Sequence, residues 1–76
     1  MDTIYVKLLD EGTLVWRPVN ASKNSNGTYT IADSEDVPDE EIWEFSPGQS
    51  VTCQHQTFSD GETRLVAYKA VSRQNT

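Results

Sequence analysis

From Ile4 to Val19 apolar and polar positions alternate with a period of two. Ile4, Val6 and Leu8 fall on one side and Tyr5, Lys7 and Leu9 on the other, and β-branched and aromatic side chains suit a pleated strand. Asp10-Glu11-Gly12 supplies a turn, with Gly12 free to take a positive φ. Thr13 to Val19 then alternates again, with Leu14 and Trp16 opposed to Val15, Arg17 and Val19. The two runs are expected to pair antiparallel. Pro18 has no N–H for a ladder, so the second strand must there be an edge, carry a bulge, or bend from one partner to another.

The polar residues Asn20 to Gly27 end in Asn26-Gly27, a strong hairpin signal, and Thr28 to Ile31 should return along the second strand. Asp33 to Glu41 has no strand pattern. Asp36, Pro38 and the acids that follow carry the marks of a helix start, enough for at most one turn. Ile42 to Phe45 reads as a short strand with Trp43 and Phe45 inward and Ile42 partly covered. Ser46-Pro47-Gly48-Gln49 fits a type II turn, with Pro second and Gly third. Val51, Cys53 and His55 share one face of the next strand, Ser59 to Glu62 reverses the chain, and Thr63 to Val71 forms a last strand apolar on parts of both faces. Such a strand must curve strongly.

About six short strands and no helix of ordinary length make the chain all-β. The expected architecture is a small antiparallel SH3-like barrel, with an OB-like barrel as the competing topology. Seventy-six residues form one domain, assigned to residues 1–71, with 72–76 as a flexible tail. A chain this short buries only about 60 % of its unfolded surface, too little for a large enclosed active site.

The stretches LLDEGTLVWRPV at 8–19, VPDEEIWEFSPGQSVTC at 37–53 and FSDGETRLVAYKAV at 58–71 resemble a group of small, single-domain, mostly bacterial β proteins of uncharacterised function. The LLDEGTxVWRPV-type core is the most specific part of that likeness. The resemblance implies a self-contained β domain and carries over no catalytic residue.

Charge changes the picture more than composition does. Between Asn24 and Thr63 there are nine carboxylates and no Lys or Arg, so that segment is −9 and the rest +3, for the net −6. Nucleic-acid binding draws its affinity from Lys and Arg on phosphates, so DNA and RNA are set aside as partners. A basic protein partner fits the same field. The competing reading is a solvated face that keeps a small protein soluble.

Trp43 lies between Glu40-Glu41 and Glu44, a composition suited to an aromatic anchor rimmed by charge. The candidate partner-binding residues are therefore Asp36, Asp39, Glu40, Glu41, Trp43 and Glu44. Trp16 beside Arg17 is a second candidate anchor. The other reading, favoured for both indoles, is that they fill a core with few other large residues.

No catalytic or cofactor signature accompanies these residues, and no cofactor or metal is expected. Cys53 and His55 are two candidate ligands without further Cys or His, and same-face neighbours on a strand stand roughly 6–7 Å apart at Cα, too far for a nucleophile and its base. Cys53 is read as a small buried residue and His55 as a residue near the strand end. One cysteine excludes an internal disulfide, and the N-terminus lacks a signal-peptide pattern, so the expected compartment is cytoplasmic, with no membrane contact. The functions in view are a non-enzymatic interaction module working through residues 33–44, an immunity or inhibitor protein masking a basic toxin or nuclease surface, and a small-molecule or metal binder. Oligomeric state is left open.

Overall fold

A computed structural model describes residues 1–71; the expected tail at 72–76 lies outside the described residues. Six strands follow one another: β1 (Asp2–Leu9), β2 (Val15–Lys23), β3 (Tyr29–Ile31), β4 (Ile42–Trp43), β5 (Ser50–Thr57) and β6 (Thr63–Ala70). Among the described residues there is no helix, and so none long and apolar enough to cross a membrane. The chain is all-β.

The strands close a ring in chain order, β1-β2-β3-β5-β6, and β6 returns to β1. The result is a small barrel. Four of the neighbouring pairs are antiparallel, as expected, and the closing pair, Tyr5 beside Val66, is parallel. Parity requires it: a meander that alternates direction around five strands must meet itself head to head at the seam. A ring in chain order is also a meander, not the Greek key of an OB-like barrel.

The alternation read at the N-terminus is real. Ile4, Val6 and Leu8 point inward from β1, opposite Val19, Arg17 and Val15 of β2. Together with Ala21, Ile31, Trp43, Phe45, Val51 and Ala67 they build the core around Ile4 and Val6, which are fully buried. β2 runs on through Lys23, four residues past the expected end at Val19, because β1 still pairs with it as far as Ala21 and β3 pairs with it from Ala21 to Lys23. Pro18 sits in the half that has β1 alone as its neighbour, so its missing N–H costs no ladder bond on the β3 side. At the other end β2 starts late: Thr13 and Leu14 belong to the connection, and Asp10 takes the positive φ (60°) that Asp tolerates.

β5 and β6 pair along their length except for a register shift at Thr52/Cys53, where Tyr68 of β6 is the extra residue. The bulge bends β6. Val66 and Ala67, adjacent in sequence, are consequently both buried, on opposite faces: Ala67 joins the core, and Val66 stands beside Tyr5 and Gln54 on the outer face. This is the two-sided burial that the apolar pattern of the last strand predicted.

The turn at Ser46–Gln49 is of type II. Gln49 N–H donates to the Ser46 carbonyl at 3.1 Å and Gly48 has φ 85°. In place of a helical turn, residues 33–41 form two tight turns, closed by Glu35 N–H to the Ala32 carbonyl at 3.1 Å and Glu41 N–H to the Pro38 carbonyl at 3.0 Å. Of the acids that directly follow Pro38 only Glu41 is tied by its side chain, to Arg17 and Trp43.

Candidate functional site

The acidic loop between β3 and β4 crosses the open flank of β2 and is pinned there at two points. Near its start, Glu35 Oε2 accepts the backbone N–H of Asn20 at 2.9 Å. Near its end, the Arg17 guanidinium grips Glu41 with two N–H donors, Nε to Oε1 at 3.2 Å and Nη2 to Oε2. Arg17 is the cross-strand partner of Val6, and its side chain is partly exposed. The indole N–H of Trp43 donates to the same Glu41 Oε1 at 2.9 Å. One carboxylate thus joins β2, the loop and β4.

Those contacts set the local electrostatics. The hydrogen bonds from Arg17 and then from Trp43 hold the Glu41 carboxyl below its usual range, against the opposing effect of desolvation. Reciprocally, the hydrogen bond to Glu41, with the nearby charges of Glu40 and Glu35, raises the Arg17 guanidinium above its ordinary value. Both groups remain charged at any ordinary pH.

The six candidate residues therefore divide. Asp36, Asp39, Glu40 and Glu44 are exposed, and none takes part in a salt bridge among the described residues. Glu41 is engaged by Arg17 and its side chain is only 12 % exposed. Trp43 is 7 % exposed and faces the core, so the indole is a support beneath the loop and not an anchor among the carboxylates.

Trp16 departs from its expected place. It lies outside the core, half-buried on the outer face, with its ring centroid 5.7 Å from that of Phe58. Tyr5 also packs against Phe58 in an edge geometry at 5.8 Å, and the Arg64 guanidinium lies 4.8 Å from the Phe58 centroid. Arg64 is held in turn by a two-point contact with Asp60, at 3.1 and 2.8 Å. That contact and the Glu62 N–H bring the Asp60 carboxyl down to about 2. The core position expected for Trp16 is thus corrected: its place across from Lys7 puts it on the outer face, where Phe58 packs against it.

Beside this cluster lies an open groove of about 260 Å³, lined among others by Lys7, Leu14, Trp16, Glu44, Val66 and Tyr68. It links the acidic loop to exposed apolar side chains. Cys53 is half-buried against the core, and desolvation pushes its thiol up to about 11, while His55 is exposed near the end of β5. Among the described residues no three His, Cys, Asp or Glu side chains converge to hold a metal ion.

Compared with protein-family models, with curated proteins and with solved structures, the chain matches none.

Proposed function

We propose that this chain is a non-enzymatic interaction module that docks a basic protein through its acidic loop, residues 33–44. The observation that supports the reading is the set Asp36, Asp39, Glu40 and Glu44, four exposed carboxylates outside any salt bridge of the described residues, the first three on a loop tethered to the barrel by Glu35 and Glu41 and the fourth just past β4. Tethering presents the charges in one arrangement, so less conformational entropy is lost when a partner binds. The net charge of −6 steers a basic protein toward the loop and repels nucleic acid. In this reading Glu41 and Trp43 hold the loop in shape, and the exposed acids make the contact.

The test is affinity capture from cells of the source organism at low and high salt, with the Asp36→Asn/Asp39→Asn/Glu40→Gln variant alongside. The captured protein is then purified and titrated. The expected result is a basic protein bound by the wild-type chain, weakened by the triple substitution and released by salt. Equal binding by both forms, with no dependence on salt, would overturn the reading.

A further inference from the structure

The turn between β2 and β3 holds a chemistry independent of the acidic loop. Asn26-Gly27 closes it: Gly27 takes a φ of 88°, which glycine adopts freely, and its N–H donates to the Asn24 carbonyl at 3.0 Å. Across the same turn Asn24 N–H donates to the Thr28 carbonyl at 2.7 Å. The turn thus requires, directly after Asn26, the one residue that has no side chain to shield its own backbone nitrogen. Chain neighbours aside, no heavy atom stands within 4 Å of where a Cβ of Gly27 would lie, and Asn26 is exposed.

The Asn26 side chain is held in one orientation. Thr28 N–H donates to Oδ1 at 3.1 Å, and because a backbone N–H can only donate, the amide atom it meets is the oxygen. The Thr28 hydroxyl donates to the same oxygen at 2.6 Å. That hydroxyl accepts from Asn24 Nδ2 at 3.0 Å, which leaves its proton for Asn26. Two donors therefore converge on the one atom that takes negative charge when a nucleophile adds to Asn26 Cγ, which is the arrangement of an oxyanion hole. The nucleophile next in the chain is the Gly27 nitrogen.

We propose that Asn26 is a site of spontaneous deamidation, with Thr28 stabilising the charge that forms on Oδ1. As the exposed turn opens, Gly27 N–H leaves the Asn24 carbonyl and gives its proton to hydroxide, and the nitrogen bonds to Asn26 Cγ. The Cγ–Nδ2 bond breaks, Nδ2 departs as ammonia with a proton from water, and a succinimide remains. Water then opens the ring at either carbonyl to give aspartate or isoaspartate, so the sum is ammonia exchanged for water, with no oxidant or reductant. Either product adds a carboxylate to a chain already at −6. Aspartate keeps an acceptor for the two Thr28 donors. Isoaspartate inserts an extra carbon into the backbone of the turn that sets Ala21–Lys23 against Tyr29–Ile31, and so loosens the β2–β3 hairpin.

The test incubates the intact chain at physiological temperature and mildly alkaline pH and follows aspartate and isoaspartate by peptide mapping with electron-transfer fragmentation. Thr28→Val, which keeps the shape and removes the hydroxyl, and Thr28→Ser, which keeps the hydroxyl, are incubated alongside, and amide resonances of the turn confirm that each is folded. The expected result is product at Asn26 well ahead of Asn20 and Asn24, at a rate that rises with hydroxide. Thr28→Val should slow it about fivefold, the worth of one hydrogen bond, and Thr28→Ser should restore it. In the guanidinium-denatured chain the difference between threonine and valine should vanish. The isoaspartate form, separated by ion exchange, should melt below the unmodified protein. No more product at Asn26 than at Asn20 or Asn24 overturns the site. Equal or faster reaction in folded Thr28→Val, or a fivefold difference that persists in denaturant, overturns the role given to Thr28.

Discussion

Arg17 and Glu41, 24 residues apart in sequence, form a two-point ion pair that fastens the acidic loop to the second strand. Trp43 completes the arrangement from beneath, donating its indole N–H to the same carboxylate. Without that pair the loop would carry one more unpaired negative charge among its neighbours, and Arg17 would lose its partner. The loop's shape is thus an electrostatic consequence of the fold.

The first prediction concerns pH. Because the folded-state value of Glu41 is depressed, its ion pair contributes stability fully present above the unfolded carboxyl value of about 4.3 and lost as pH falls through the lower folded value. Asp60, held at about 2 by Arg64, behaves in the same way, so its contribution is lost between the unfolded value near 3.9 and about 2. Melting temperature measured from neutral pH downward should fall through this window, and Glu41→Gln should lower the neutral-pH value while flattening the acid slope. A variant with the wild-type slope would show that the pair does not contribute.

The second prediction separates the two tryptophans. Trp43→Ala removes a core side chain and should cost about 3–5 kcal/mol. Trp16→Ala removes a half-buried ring and its contact with Phe58, for a smaller loss of about 1–3 kcal/mol. Urea denaturation of both variants decides it, and equal losses would place Trp16 in the core after all.

Gly48 provides the third. Its positive φ of 85° is one that residues with a Cβ adopt at a cost of about 1–2 kcal/mol, and a Cβ there would stand 2.7 Å from Asp33 Oδ1. Gly48→Ala should therefore destabilise by at least that amount. Adding Asp33→Ala should recover only the part due to the contact, leaving the backbone strain, and denaturation of the single and double variants measures each part.

Cys53 gives the fourth. A thiol pushed up to about 11 by desolvation carries on the order of a hundred-fold less thiolate near pH 8 than a free cysteine. Reaction with a thiol-specific disulfide reagent should be slow in the native protein and fast in denaturant. Rapid native reaction would show that the thiol is more accessible to water than its packing indicates.

What could be read in the chain follows from the reach of local patterns. The inward set Ile4, Val6 and Leu8, the type II turn at Ser46–Gln49 and the two-sided burial of β6 all follow from periodicity and turn chemistry, which act over a few residues. The same reach explains the failures. The continuation of β2 to Lys23 needed β3 beside it, and the parallel seam between Tyr5 and Val66 follows from the number of strands in the ring.

For the candidate site, the sequence by itself determined its charge: a run without Lys or Arg is acidic in any fold. Which of those acids are free was decided only by the tertiary structure, since Glu41 is engaged by an arginine brought from the second strand and Trp43 is drawn into the core beneath it. The groove is likewise tertiary, assembled from Leu14 and Trp16, Glu44, and Tyr68 on three separate segments. Charge is additive along a chain, whereas burial and pairing depend on which distant residues the barrel brings together.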